Sequence, residues 1–337
     1  MNLKFKKPSK ETQMAMSKVA SGEDNQDYHV LACEKLANVT NHKDAMLVNS
    51  GNSAILSAMN AIDGAILIPD QGAWNGFKQI ANFLNKDLIS IKTYQGLIDL
   101  NILNESLLSL SEENRIDLDN ENNKSAIFLT SFAAYTAEQD MKSICDFAHK
   151  NNMIVVEDAS GAITDSKKEL ANGNLSDIII GSTGSPKIVN VEDGGFITTN
   201  DKSVFDKSKL LLKTNKASNI TACGISSELD FANDALSKTI EATAYLKEMI
   251  EKETGFEVFH PDKRGINVIV KTDDSKSLSY KLRQEFVLDS HGMITKCPNY
   301  NRLKEKAVAL EIKNLDINCL DYDNLDDIIN TLKIFDV

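Results

Sequence analysis

The sequence predicts an α/β protein: a three-layer αβα domain around a mainly parallel seven-stranded sheet, followed by a smaller C-terminal α+β domain. Three observations lead there. Seven short apolar runs recur at residues 45–48, 65–68, 88–91, 126–129, 153–156, 177–180 and 195–198, several without polar alternation, as strands buried on both faces require. Amphipathic stretches of helical length lie between them, the pattern of parallel strands joined by crossover helices. After Thr199 the strand rhythm stops, and shorter strands alternate with helices to the end of the chain.

Taken in order, residues 1–20 are polar without a strong period and are expected to form an N-terminal arm, extended or as a surface helix. Residues 21–235 carry the large domain, with helices expected at 31–39, 53–61, 74–84, 103–110 and 141–150. Residues 111–124 are polar and acidic, including Glu121, and are expected to form an exposed loop. Residues 205–213 and 235–253 read as helices. The C-terminal domain, 236–337, is expected to hold strands at 265–270 and 307–312 and helices at 277–286 and 325–332.

Composition mainly excludes. The 337 residues are 42% hydrophobic and 26% charged, with a net charge of −12. No basic stripe exceeds Lys4-Phe5-Lys6-Lys7, which argues against a nucleic-acid surface. No apolar run approaches the ~20 residues of a membrane span, because 53–68 is interrupted by Asn60, Asp63 and Gly64. The start shows lysines without an apolar run behind them, so no secretory signal is expected. The five cysteines (Cys33, Cys145, Cys223, Cys297, Cys319) are far apart, and the histidines (His29, His42, His149, His260, His291) lack ligand spacing. Reduced thiols, a cytoplasmic location and no metal are therefore expected.

Chemistry gathers after three of the apolar runs. Asn49-Ser50-Gly51-Asn52-Ser53-Ala54 passes directly from a strand into a helix, and the free N–H groups of a helix N-terminus bind phosphate. Ser50 or Asn52 serving only as a helix cap is the alternative there. Glu157-Asp158-Ala159-Ser160-Gly161 puts two acids at a strand end, where one can pair with a cationic ligand nitrogen or merely cap or face water. Ser182-Thr183-Gly184-Ser185-Pro186-Lys187 presents a lysine on a tight turn of small residues; a partly desolvated lysine loses its proton more readily and can form a Schiff base, whereas most lysines are solvated. Phosphate cradle, strand-end acid and reachable lysine are the parts pyridoxal 5'-phosphate needs. Trp74, the only tryptophan, follows a strand and is placed either to stack on that cofactor's ring or to pack in the core or an interface.

At these residues the chain resembles the fold-type-I pyridoxal-phosphate enzymes, most nearly the DegT/DnrJ/StrS sugar aminotransferases. The order is Ser50-Gly51-Asn52-Ser53-Ala54, Glu157-Asp158-Ala159-Ser160, Ser182 five residues before Lys187, then Glu192-Asp193-Gly194-Gly195-Phe196-Ile197-Thr198-Thr199-Asn200. The resemblance covers roughly residues 28–205 well and the C-terminal part loosely. It implies Lys187 as the Schiff-base lysine and Asp158 as partner of the pyridinium nitrogen. Ser182, Ser50, Gly51 and Asn52 would lie around the phosphate, with Trp74 and Ser160 close to the cofactor. It also implies a homodimer with a shared active site, an amino donor and a carbonyl acceptor. Three departures stand out: Asn52 replaces the usual threonine; Gly161 stands where a Gln or His often touches the cofactor hydroxyl; and 131–137 lacks the usual His and Gly. The leading expectation is an aminotransferase. The alternatives are a cysteine desulfurase-like or C–S lyase enzyme with Cys297 as a mobile nucleophile, and a non-catalytic regulatory protein that holds the cofactor. Arg264, Arg283 and Arg302 are equal candidates for a substrate carboxylate or phosphate.

Overall fold

The structure is a computed structural model that describes residues 3–113, 115–120, 123–288 and 292–336. Residues 1 and 2 of the expected arm, Asn114, Glu121 and Asn122 of the expected loop, His291 and Val337 lie outside the described residues. The chain opens with α1 (Lys10–Ser21), α2 (Tyr28–Thr40), β1 (Asp44–Val48), α3 (Gly51–Asn60), β2 (Ile66–Pro69), α4 (Gly76–Phe83), β3 (Leu88–Ile91) and α5 (Leu100–Glu112). It continues through β4 (Ala126–Thr130), the short ribbon β5 (Phe132–Ala133) and β6 (Ala137–Glu138), α6 (Met141–Lys150), β7 (Ile154–Asp158), β8 (Ile178–Ser182) and β9 (Gly195–Thr199). Then come α7 (Ser203–Lys207), α8 (Lys209–Thr214), α9 (Asn219–Glu253), β10 (Val268–Lys271), α10 (Ser275–Glu285), β11 (Ile294–Lys296), β12 (Ala307–Leu310) and α11 (Tyr322–Lys333).

All seven apolar runs become strands of one sheet, in the order β1-β9-β8-β7-β4-β2-β3. The pairings from β8 through β7, β4 and β2 to β3 are parallel, while β9 is antiparallel to both β8 and β1. The strand period of two splits the core. Ile127 and Leu129 of β4 point into a layer with α2, α5, α6 and the first half of α9, whereas Ala126 and Phe128 point into the layer of α3, α4, α7 and α8. Side-chain caps fix where helices start: Asp27, Asp99 and Asp140 accept N–H groups at the starts of α2, α5 and α6.

Several elements differ from the sequence reading. The helix expected at 235–253 begins at Asn219, capped by Ser218; its first turns carry small residues (Ala222, Gly224, Ser226) that pack closely but weaken the apolar period. The first half of α9 joins the core of the sheet, and Ala242, Leu246 and Ile250 of its second half join the core formed by α10, α11 and the sheet β10-β12-β11. The single helix expected at 205–213 is two, divided at Ser208, whose hydroxyl donates to the Ser57 carbonyl. The strand expected at 307–312 ends at Leu310, and a 3₁₀ turn at Ile312–Asn314 follows. The strand expected from 265 starts at Val268. The expected acidic loop begins only after α5 ends at Glu112, and Ile116 anchors it in the core. Residues of the expected arm form α1, capped by Ser9 at its start and by Gly22 in the left-handed conformation at its end. Among the described residues no helix is long and apolar enough to cross a membrane.

Candidate active site

Because β9 runs opposite to both of its neighbours, β1 points the same way as β8, and the carboxyl ends of β1, β2, β4, β7 and β8 share one rim. A cavity of about 390 Å³ opens there, and Ser50, Gly51, Asn52, Trp74, Asp158, Ser160, Ser182 and Lys187 all line it. The structure therefore brings these eight residues of the expected cofactor site into one pocket.

At the end of β1, Ser50 caps α3: its Oγ accepts the Ser53 N–H at 3.2 Å and its carbonyl accepts the Ala54 N–H at 3.1 Å. The capping alternative thus holds for Ser50, and it leaves the preceding Gly51 and Asn52 amides on the pocket-facing turn. Gly51 is required by close approach, since a Cβ there would lie 2.6 Å from the Cβ of Ser182. Behind this turn the Gly194-Gly195 pair brings β9 against the chain. Gly194 has φ +87°, and a Cβ on Gly195 would lie 2.7 Å from the Ser50 carbonyl oxygen. Trp74 is 40% exposed at the rim, outside the core, and its Nε1 donates to Asn52 Oδ1 at 3.0 Å. Asn52 keeps its NH₂ as a donor.

Parallel pairing sets Asp158 of β7 beside Thr130 and Ile180, on the floor of the pocket. Its Oδ1 accepts from the Ser160 N–H at 3.0 Å and the Ser160 hydroxyl at 2.5 Å, and Ser160 Oγ in turn accepts the Ser182 N–H at 2.8 Å. Glu157, one residue earlier, faces the opposite layer as alternation demands. It is fully buried and accepts from Ser131, Ser176 and the Ala171 N–H. Burial pushes its carboxyl above the usual range. Of the two strand-end acids, only Asp158 reaches the site.

Lys187 follows the turn closed by its N–H to the Gly184 carbonyl, and its Nζ donates to Tyr135 Oη at 2.9 Å. The sequence reading expected a lysine that loses its proton readily. Burial does pull Lys187 down, but the Tyr135 oxygen and the Asp158 carboxylate outweigh it, and the net direction is upward.

Two charged or phenolic pocket residues, Tyr135 and Lys313, escaped the sequence reading, whereas Arg302 was one of its three candidate arginines. Tyr135 follows Ala134 in the left-handed region, with φ of 62° and 52°, a conformation that costs non-glycine residues about 1–3 kcal/mol each and is sustained here by the surrounding packing. The Ile266 and Asn267 N–H groups both donate to its carbonyl. Arg302 and Lys313 enter from the C-terminal domain. Lys187 Nζ, the Arg302 guanidinium and Lys313 Nζ lie 5.3, 4.9 and 5.1 Å from the Tyr135 ring centre. Glu311 holds Arg302 through two hydrogen bonds of 2.8 and 2.7 Å. Although burial alone would raise it, Glu311 is held well below the usual carboxylate range by Arg302 and Lys313. Burial lowers Lys313 to about 7, against the pull of Glu311. No local motif marked Lys313, which arrives on the 3₁₀ turn after β12.

The structure also separates the three arginines. Arg264 is tied to Glu138, Asp165 and Glu169, and Arg283 donates to the Ile294 carbonyl. Only Arg302 of the three lines the pocket, with its fork already engaged by Glu311. Cys297, the mobile nucleophile of the desulfurase-like alternative, is fully buried among Ala134, Phe259 and Leu303, and burial raises its thiol pKa.

Residues 111–235 match the DegT/DnrJ/EryC1/StrS aminotransferase family, and residues 233–333 match the MJ1341 family C-terminal domain. A 72-residue stretch is 36% identical to GDP-perosamine synthase of Caulobacter vibrioides; it covers 21% of this chain and 19% of that protein. The aligned part thus spans about a fifth of that relative's length. Two solved structures share the fold over nearly the whole chain. Helicobacter pylori PseC, an aminotransferase involved in the biosynthesis of pseudoaminic acid, aligns with 16% identity and a TM-score of 0.74, covering 98% of each chain. Serine palmitoyltransferase of Sphingomonas wittichii aligns with 11% identity and a TM-score of 0.74, covering 97% of this chain and 83% of that one. The chain thus shares its fold with these two proteins, and its residues 111–235 match the DegT/DnrJ/EryC1/StrS aminotransferase family.

Proposed function

We propose that the chain is a pyridoxal-phosphate-dependent aminotransferase that moves an amino group from an amino donor to a carbonyl acceptor. One observation carries the reading: a helix N-terminus, a strand-end carboxylate and a lysine amine converge on one cavity at the carboxyl rim of the sheet. The residues fit the cofactor. With no Cβ on Gly51, the start of α3 comes up against Ser182, which gathers the Gly51 and Asn52 amides and the Ser182 hydroxyl at one end of the pocket. When bound, pyridoxal phosphate supplies an electron sink for the carbon that exchanges the amino group.

In this reading the Gly51 and Asn52 amides, the Asn52 side chain and the Ser182 hydroxyl bind the phosphate. Asp158, oriented by Ser160, holds a proton on the ring nitrogen. Trp74 closes the rim. Lys187 Nζ would hold the cofactor at its aldehyde end and, when its amine is free, would serve as the base that moves a proton at the reacting carbon. Arg302 and Lys313 surround the substrate side with positive charge, so a substrate bearing a carboxylate or phosphate is favoured. A homodimer with shared sites and a cytoplasmic setting belong to the same proposal. We place the division between the two domains near residue 235, within α9. Burial of Cys297 speaks against the desulfurase-like alternative.

The test follows the absorption spectrum of the purified, cofactor-loaded protein. A suitable amino acid is expected to remove the visible band, and a carbonyl acceptor to restore it. A spectrum that no amino donor changes would count against transamination and favour a non-catalytic cofactor-holding protein.

A further inference from the structure

We propose that Tyr135 supplies the hydrogen bond to the ring hydroxyl of the cofactor, and that residue 161 is glycine because Ile266 and Tyr135 together occupy its side-chain space. The inference rests on the pyridoxal-phosphate reading above. On that cofactor the ring hydroxyl sits on the carbon next to the one bearing the aldehyde. Whatever atom reaches the aldehyde therefore has the hydroxyl oxygen beside it. Lys187 Nζ is that atom, and Tyr135 Oη lies 2.9 Å from it.

Two other hydroxyls of the pocket, those of Thr130 and Ser160, are committed: Thr130 Oγ1 donates to backbone carbonyls of Gly72 and Phe132. Ser160 Oγ donates to Asp158 Oδ1 and accepts from the Ser182 N–H. Position 161 can offer nothing, and the reason is visible: a Cβ on Gly161 would lie 2.8 Å from Ile266 Cδ1 and 3.2 and 3.3 Å from Tyr135 Cε1 and Cδ1. Tyr135 and Ile266 are fixed as a unit, since the Ile266 N–H donates to the Tyr135 carbonyl at 2.8 Å. Lys187, Arg302 and Lys313 lie around the phenol ring and favour negative charge on an oxygen placed beside it. A phenol donating to the cofactor oxygen stabilises its anionic form, most strongly when the neighbouring lysine nitrogen carries no proton.

Three variants test this. Loss of one hydrogen bond in Tyr135→Phe is expected to weaken cofactor affinity roughly tenfold. The midpoint at which the visible band changes with pH should move upward by about half a pH unit or more. In cofactor-free protein, Gly161→Ala should lower the thermal midpoint, and should lower it less in a Tyr135→Ala background. If Tyr135→Phe leaves affinity and midpoint unchanged while Lys187→Ala abolishes the band, the hydrogen-bond assignment is overturned and the pyridoxal-phosphate reading stands. If the two thermal effects simply add, the steric half is overturned. A wild-type protein that takes up no cofactor overturns both the reading and the assignment.

Discussion

Gly51 shows how one missing atom shapes the pocket. Its place opposite Ser182 leaves no room for a Cβ at 2.6 Å, so Gly51→Ala must move either α3 or β8. The variant is expected to fold and to bind pyridoxal phosphate about tenfold more weakly or worse, about 1.4 kcal/mol, measured by equilibrium titration. Affinity equal to wild type would mean that the phosphate is not held at this turn. Lys313 makes a second prediction. An unfolded lysine titrates near roughly 10.4, and between about 7 and that value the unfolded chain holds a proton that folded Lys313 has released. Stability therefore rises with pH across this window. Lys6 and Lys247, each lowered to about 8 by burial, act in the same sense. Above roughly 8.5 the cysteines oppose, because half-buried Cys33, for one, is raised to about 11 by desolvation while unfolded thiols begin to ionise. The denaturant midpoint should climb from pH 7 to about 8.5, less steeply in Lys313→Met; a profile that is flat or falls in both contradicts the placement of that amine. Gly51, Asp158 and Lys187 were legible in the sequence because each follows an apolar run, where the parallel sheet gathers strand ends. Tyr135 and Lys313 were not, because their positions depend on a left-handed turn and on the docking of the C-terminal domain.

At the scale of elements, the seven strands of the large sheet were read correctly from their apolar runs, because burial on both faces removes polar alternation, whereas β5, β6 and β11 carry no such run. Helix ends and the start of α9 were not, since small residues pack against neighbours without leaving a period. α9 holds the two cores together, and Lys247 on it shows how. Its amine is buried and donates to the carbonyls of Thr136, His260 and Lys263 at 2.7, 2.8 and 2.8 Å. Thr136 closes the ribbon turn that carries Tyr135, so one side chain ties the helix, that turn and the loop before β10. Lys247→Met would leave the Thr136 and Lys263 carbonyls without this donor, the His260 carbonyl keeping the Lys263 N–H, and is expected to destabilise the protein by about 2–4 kcal/mol in denaturant titrations. A loss under about 1 kcal/mol would show that water or backbone adjustment satisfies those carbonyls.

For the whole molecule, the pocket belongs to both halves of the chain. The large domain brings the cradle, Asp158 and Lys187, and the C-terminal domain brings Arg302 and Lys313. Backbone contacts join them at the rim: the Gly72 N–H donates to the Tyr300 carbonyl at 2.9 Å, and the Asn75 N–H to Asn301 Oδ1 at 2.8 Å. The proposed homodimer should sediment at twice the chain mass, and a monomer that turns over substrate would remove the shared-site part of the proposal. The central claim is that Lys187 carries pyridoxal phosphate through a carbon–nitrogen double bond. Borohydride reduces such a bond to a stable amine, so the loaded protein can be reduced, digested and mapped by mass spectrometry. The account predicts the added cofactor mass on the peptide containing Lys187 and nowhere else; no added mass, or mass on a different lysine, would contradict it.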